Sequence, residues 1–94
     1  MRITLNAFSF LRKTIAQNGF GYLNTPMNIA EDATIADLIA VLKLEPQTVE
    51  AAFVNHKVVP KETKLHEGDR VALVPPGTPG SYRLIMGLKE RAGT

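Results

Sequence analysis

Hydrophobic and polar residues alternate with period two from Arg2 to Ala7, with Ile3, Leu5 and Ala7 on one side and Arg2, Thr4 and Asn6 on the other. That is the pattern of a half-buried strand. The alternation is lost across Phe8-Ser9-Phe10-Leu11-Arg12-Lys13, where Leu11 and Ile15, four apart, predict a short helical turn over the sheet edge. Asn18-Gly19-Phe20-Gly21 then breaks the chain and opens a loop. A second strand is expected from Tyr22 to Ile29, closing a wide hairpin with the first. It belongs at an edge, because Pro26 has no amide hydrogen for a ladder.

From Thr34 the period changes. Ile35, Leu38, Ile39 and Leu42 recur at i, i+3, i+4 and i+7, one face of a helix. Thr34 is placed to cap its start, and Asp37 to reciprocate the cap and meet the positive end of the dipole. Leu44-Glu45-Pro46 is expected to end it. Ala51-Ala52-Phe53-Val54 and Val58-Val59 flank Asn55-His56-Lys57, a tight hairpin in which asparagine tolerates the left-handed conformation. Gly68-Asp69 has turn chemistry, and Val71-Ala72-Leu73-Val74 follows without alternation, as in a strand covered on both faces or central in a sheet. Pro75 and Pro76 stop it. The economical packing is an α+β domain over residues 1–76: a mixed four- to five-stranded sheet, one main helix on one face, and the last strand beside the first.

Ninety-four residues make one domain, too small to enclose a large active-site cavity. Eleven basic against nine acidic residues leave a net charge of +2, and the densest basic group, Lys57, Lys61 and Lys64, includes Glu62 and has no aromatic platform. No nucleic-acid partner is expected. The chain has no cysteine, which excludes disulfides, thiolate metal sites and a cysteine nucleophile. With no apolar run of spanning length, the expectation is a soluble, cytoplasmic protein without a membrane partner. His56 and His66 fall at turns and read as solvated residues. No paired carboxylates, nucleophile-base arrangement, phosphate-cradling loop or metal-spaced cluster occurs, so neither catalysis nor a cofactor is expected.

Four segments in order carry a family resemblance: Ala7-Phe8-Ser9-Phe10-Leu11-Arg12, Ala33-Thr34-Ile35-Ala36-Asp37-Leu38, Val54-Asn55-His56-Lys57, and Leu65-His66-Glu67-Gly68-Asp69-Arg70-Val71 running to Pro75-Pro76. Over residues 1–76 the chain resembles the ubiquitin-like sulfur carriers of the MoaD and ThiS family. The resemblance implies a β-grasp fold and a C-terminal diglycine whose carboxylate is adenylated by a ubiquitin-activating-like enzyme and converted to a thiocarboxylate for a sulfur-accepting synthase subunit. It also implies an apolar docking patch that includes Phe8 and Val74, with Pro75, Pro76 and Gly77 leading into the reactive tail. Here Gly80 stands roughly where the diglycine would be, between Pro79 and Ser81, and the sequence runs on to Thr94.

Residues 77–94 therefore read as a C-terminal extension. Tyr82, Leu84 and Met86 alternate with Arg83, Ile85 and Gly87, the pattern of an added strand, before the polar Lys89-Glu90-Arg91. Two functions remain open. In one, the protein is a sulfur carrier for molybdenum or tungsten pterin cofactor or thiamine biosynthesis, processed to end at Gly80 or Gly93. In the other, it is a non-carrier interaction module or subunit in which Tyr82 to Leu88, with Tyr82, Leu84 and Met86 on one side, is a strand that binds a partner, a second copy of the chain included. RNA binding is a weaker third.

Overall fold

The computed structural model describes residues 1–76. Gly77, Gly80, Tyr82, Leu84, Met86 and Gly93, and with them the expected added strand, lie outside the described residues. The elements are β1 (Arg2–Ala7), α1 (Leu11–Gln17), β2 (Thr25–Asn28), α2 (Ile35–Val41), a short 3-10 turn (Pro46–Thr48), β3 (Ala51–Val54), β4 (Lys57–Val59) and β5 (Arg70–Val74). One mixed sheet holds all five strands in the order β2-β1-β5-β3-β4. β1 and β5 pair in parallel at its centre, and the other pairs are antiparallel.

Both helices lie on one face. Leu11 and Ile15 of α1 and Ile35, Leu38 and Ile39 of α2 form a single apolar cluster with Ile3, Leu5 and Ala7 of β1, Ala52 of β3, and Val71 and Leu73 of β5. Each fully buried Leu or Ile in it contributes about 1.5–3 kcal/mol of transfer free energy. The alternation in β1 is reproduced in its burial, and the two-plus-two stripe of α2 is buried throughout, Leu42 included.

The start of α2 is a full capping box: the Thr34 hydroxyl accepts from the Asp37 amide at 3.2 Å, and the Asp37 carboxylate accepts from the Thr34 amide at 2.9 Å. Its end comes earlier than Leu44-Glu45-Pro46. Lys43 adopts φ 61°, its amide bonds Ala40 O at 3.0 Å, and the Leu44 amide reaches Ile39 O at 3.1 Å, with Leu44 tucked into the core. This is a Schellman stop without glycine.

Two further expectations are corrected in extent. The predicted turn at Leu11 and Ile15 is a helix of 7 residues, as long as α2, so the sheet carries two helices on this face. The second strand is Thr25–Asn28, shorter than Tyr22–Ile29. It is the edge strand expected, with Pro26 opposite Thr4. Its N-terminal part is occupied otherwise, because the Tyr22 carbonyl accepts from the Ala7 amide and Asn24 binds Asn6 through its side chain and backbone.

The β3–β4 hairpin closes through Asn55 and His56, at φ 51° and 73°, between the paired Val54 and Lys57. Two consecutive left-handed residues match the right-handed twist of the strands. The β5 turn is locked to this hairpin. Asp69, 8% exposed, accepts from Asn55 Nδ2 at 2.9 Å and from the His66 amide at 2.8 Å, and Asn55 Oδ1 accepts from the Arg70 amide at 3.1 Å.

Candidate functional site

The last strand ends at a fixed point. The Phe8 amide donates to Leu73 O at 3.2 Å from one side, and the Glu50 amide to Val74 O at 2.8 Å from the other. The end of β5 is therefore held in the middle of the sheet by both flanking strands. Pro75 is buried and Pro76 exposed.

Phe8 borders this point and is itself held. Ser9 turns the chain through φ 56°, α1 begins, and Arg12 folds back so that Nε donates to Ala7 O at 2.8 Å. Its guanidinium carbon lies 5.7 Å from the centre of the Phe8 ring and 5.5 Å from that of Tyr22. A cation between two ring faces fixes both rings beside the exit. Phe10 next to them is 50% exposed.

The register lays out the sheet face opposite the helices in rows. Nearest the exit, Phe8, Val74 and Ala51 lie side by side. The next row is Asn6, Ala72, Phe53 and Val58. The third is polar: Thr4 and Arg70, with Arg70 Nη2 donating to Asn24 Oδ1 at 3.1 Å, an oxygen that also accepts from Asn6. Apolar character is thus concentrated around the exit and gives way to charge away from it.

Phe8, Val74, Pro75 and Pro76, singled out in the sequence, are neighbours here. Phe8 is half-buried, and Val74 has no exposed surface. The other singled-out residues lie beyond residue 76. Arg12, Phe53, Ala72 and Val58 were not identified from sequence. Phe53 and Val58 join the face only through the β3–β4 and β3–β5 registers, and Arg12 is recognisable only once Phe8 and Tyr22 are seen on either side of it.

Both histidines are exposed. Among the described residues no group of three or more His, Asp or Glu side chains could hold a metal ion, and no helix is long and apolar enough to cross a membrane. What the described residues assemble is an apolar face around the end of β5.

A family model described as the ThiS family matches residues 20–80. A comparison with curated proteins gives no significant match. Among solved structures, SAMP1 from Haloferax volcanii is similar with a TM-score of 0.60 at 19% identity, over 85% of this chain and 100% of that one. A second structure, of the H. volcanii small archaeal modifier protein 1, gives 0.60 at 17% identity over 80% and 97%. A protein described as molybdopterin converting factor subunit 1 from Pyrococcus furiosus gives 0.60 at 20% identity over 81% and 98%. These likenesses establish the ubiquitin-like β-grasp fold. The family match spans most of the chain, from the loop before β2 through the whole of β5 and past the two prolines, and on it this chain belongs to the ThiS family.

Proposed function

We propose that the protein is a sulfur carrier of the ThiS type whose reactive end is Gly80, exposed by removal of residues 81–94. The observation that carries this reading is where the family match stops: it ends on Gly80. Gly93, the other candidate, lies outside it. The chemistry of the segment fits. A terminal carboxylate must reach an activating enzyme's nucleotide through a narrow passage, and a glycine end has no Cβ to obstruct it. A carboxylate on Thr94 would carry a β-branched side chain instead.

In this reading an adenylating enzyme of the ubiquitin-activating type attaches AMP to the Gly80 carboxylate with release of pyrophosphate. A sulfur donor then displaces AMP to leave the thiocarboxylate, which a synthase subunit consumes. Phe8, Pro75, Pro76 and Gly77 form the collar these partners grip, with Val74 beneath it. The protein itself supplies the handle and the end group and no catalytic side chain, and it works in the cytoplasm. The P. furiosus neighbour's description favours a pterin cofactor over thiamine as the product served.

The test is the intact mass of the protein purified from its own cells. A chain ending at Gly80, or the same chain heavier by the difference between sulfur and oxygen, is expected. A full-length, unmodified chain in stable complex with another protein would refute the carrier reading and leave the interaction module. That second reading draws on residues 81–94, which extend beyond the family match and carry the alternating Tyr82, Leu84 and Met86.

A further inference from the structure

Arg70 is an exposed guanidinium that the fold holds in place with neutral groups. Its Nη2 donates to Asn24 Oδ1 at 3.1 Å. Asn24 is itself fixed to β1, because its amide donates to Asn6 Oδ1 at 2.9 Å and its Oδ1 accepts from Asn6 Nδ2 at 3.2 Å. The carboxylates beside Arg70 in sequence are engaged elsewhere: Glu67 accepts from the Arg2 amide, and Asp69 from Asn55 Nδ2 and the His66 amide. Among the described residues Arg70 forms no ion pair. By strand alternation, Arg2 and Arg70 both belong to the face opposite the helices, and no Asp or Glu of the described strands joins them.

The sheet offers a partner its face rather than its edges. The Thr4 amide donates to Asp69 O, on the β5 side, so the residue of β2 opposite Thr4 turns its backbone groups outward. That residue is Pro26, which has no donor for a further strand. At the other edge β4 has only 3 residues, and Pro60 follows it. A partner gripping the collar at the end of β5 therefore spreads over the outer face. Arg70 lies four residues along β5 from Val74, about 13 Å. An interface burying about 800 Å² per partner is broader than that, so such a partner covers Arg70 as well. Covering a cation with nothing opposite is strongly unfavourable, and a carboxylate set against the guanidinium offsets that cost.

We infer that Arg70 is a specificity-determining contact of the docking face: the adenylating enzyme places a surface carboxylate on this guanidinium and apolar side chains on Ala72, Phe53 and Val58. The inference rests on the carrier reading and adds the charge its enzyme must present. Asn24 holds the guanidinium ready, so little side-chain freedom is lost on docking. The planar guanidinium suits a carboxylate better than an ammonium group does. A surface that is neutral or cationic at this point is rejected. A nucleic-acid strand is disfavoured as occupant, because two cations beside two apolar rows do not make the run of positive charge that a phosphate backbone requires.

The test is exchange of labelled pyrophosphate into ATP by the purified adenylating enzyme, with the parent and variant chains produced in the protein's own cells and used in the form that accumulates there. Arg70→Gln should raise the half-saturating carrier concentration about tenfold, as for loss of a hydrogen bond to a charged group, with the maximal rate unchanged. Arg70→Lys should recover part of that loss. Added salt should weaken the parent more steeply than Arg70→Gln, a signature that mere damage to the fold does not produce. Lys13→Gln, a cation removed from α1 on the helical side, should behave as the parent. Parental half-saturation for Arg70→Gln would overturn the inference and leave the carrier reading standing, as would an equal rise in Lys13→Gln or an unchanged salt dependence. Absence of exchange with the parent chain would overturn the carrier reading and this inference with it.

Discussion

Arg12 is the side chain whose removal should most directly loosen the exit collar, and its contribution follows from three contacts. Its Nε bond to Ala7 O contributes about 1 kcal/mol, the usual net for a protein hydrogen bond. Each ring contact, at 5.7 Å to Phe8 and 5.5 Å to Tyr22, adds about 0.5 kcal/mol at so exposed a position. Arg12→Ala should therefore lower stability by about 2 kcal/mol, slightly offset by the better helix propensity of alanine in α1. For a domain of this size that corresponds to a fall in Tm of about 10 °C. Arg12→Lys keeps a cation over the rings and loses the planar Nε donor, so about half the loss should remain. Urea unfolding of the full chain gives both values. A double-mutant cycle with Tyr22→Leu should return a coupling of about 0.5 kcal/mol, because the two side chains touch. If Arg12→Ala unfolds at the parent's urea midpoint, or the cycle shows no coupling, the cation is not holding the rings and the collar must be rigid for another reason.

Thr34→Ala removes the acceptor for the Asp37 amide and should cost about 1 kcal/mol in urea unfolding, with Thr34→Ser close to neutral. His56→Gly relieves a left-handed non-glycine residue at φ 73° in an exposed turn, and a gain of about 0.5–1 kcal/mol should appear as a higher Tm. Asp69→Ala leaves the His66 amide and Asn55 Nδ2 without their acceptor in a largely buried setting. A loss of about 3 kcal/mol is expected by denaturant titration, with faster amide exchange in the β3–β4 hairpin than in α2.

Local chemistry made much of the fold legible. Thr34 and Asp37 form a capping box because both partners sit three residues apart, and the Asn55 turn is read from a residue that tolerates φ > 0. The misjudged elements are those set by distant partners. The helical turn at Leu11 grew into α1 because Leu11 and Ile15 both find the core, and no side-chain cap marks its start. β2 lost its first residues to Tyr22 and Asn24, whose bonds go to Ala7 and Asn6, more than a dozen positions earlier. The stop at Lys43 had no signal at all, since lysine is a poor marker of left-handed backbone.

The outer face was hidden for a related reason. Val71-Ala72-Leu73-Val74 is apolar at every position, a run that fits coverage on both faces as well as a central place in the sheet. The structure separates these meanings. Val71 and Leu73 pack under the helices, and Ala72 and Val74 face the other way, with β1 and β3 flanking both. On the carrier reading, the apolar residues around the end of β5 are those a docking enzyme would cover, and the β1–β5 and β3–β5 registers set their place.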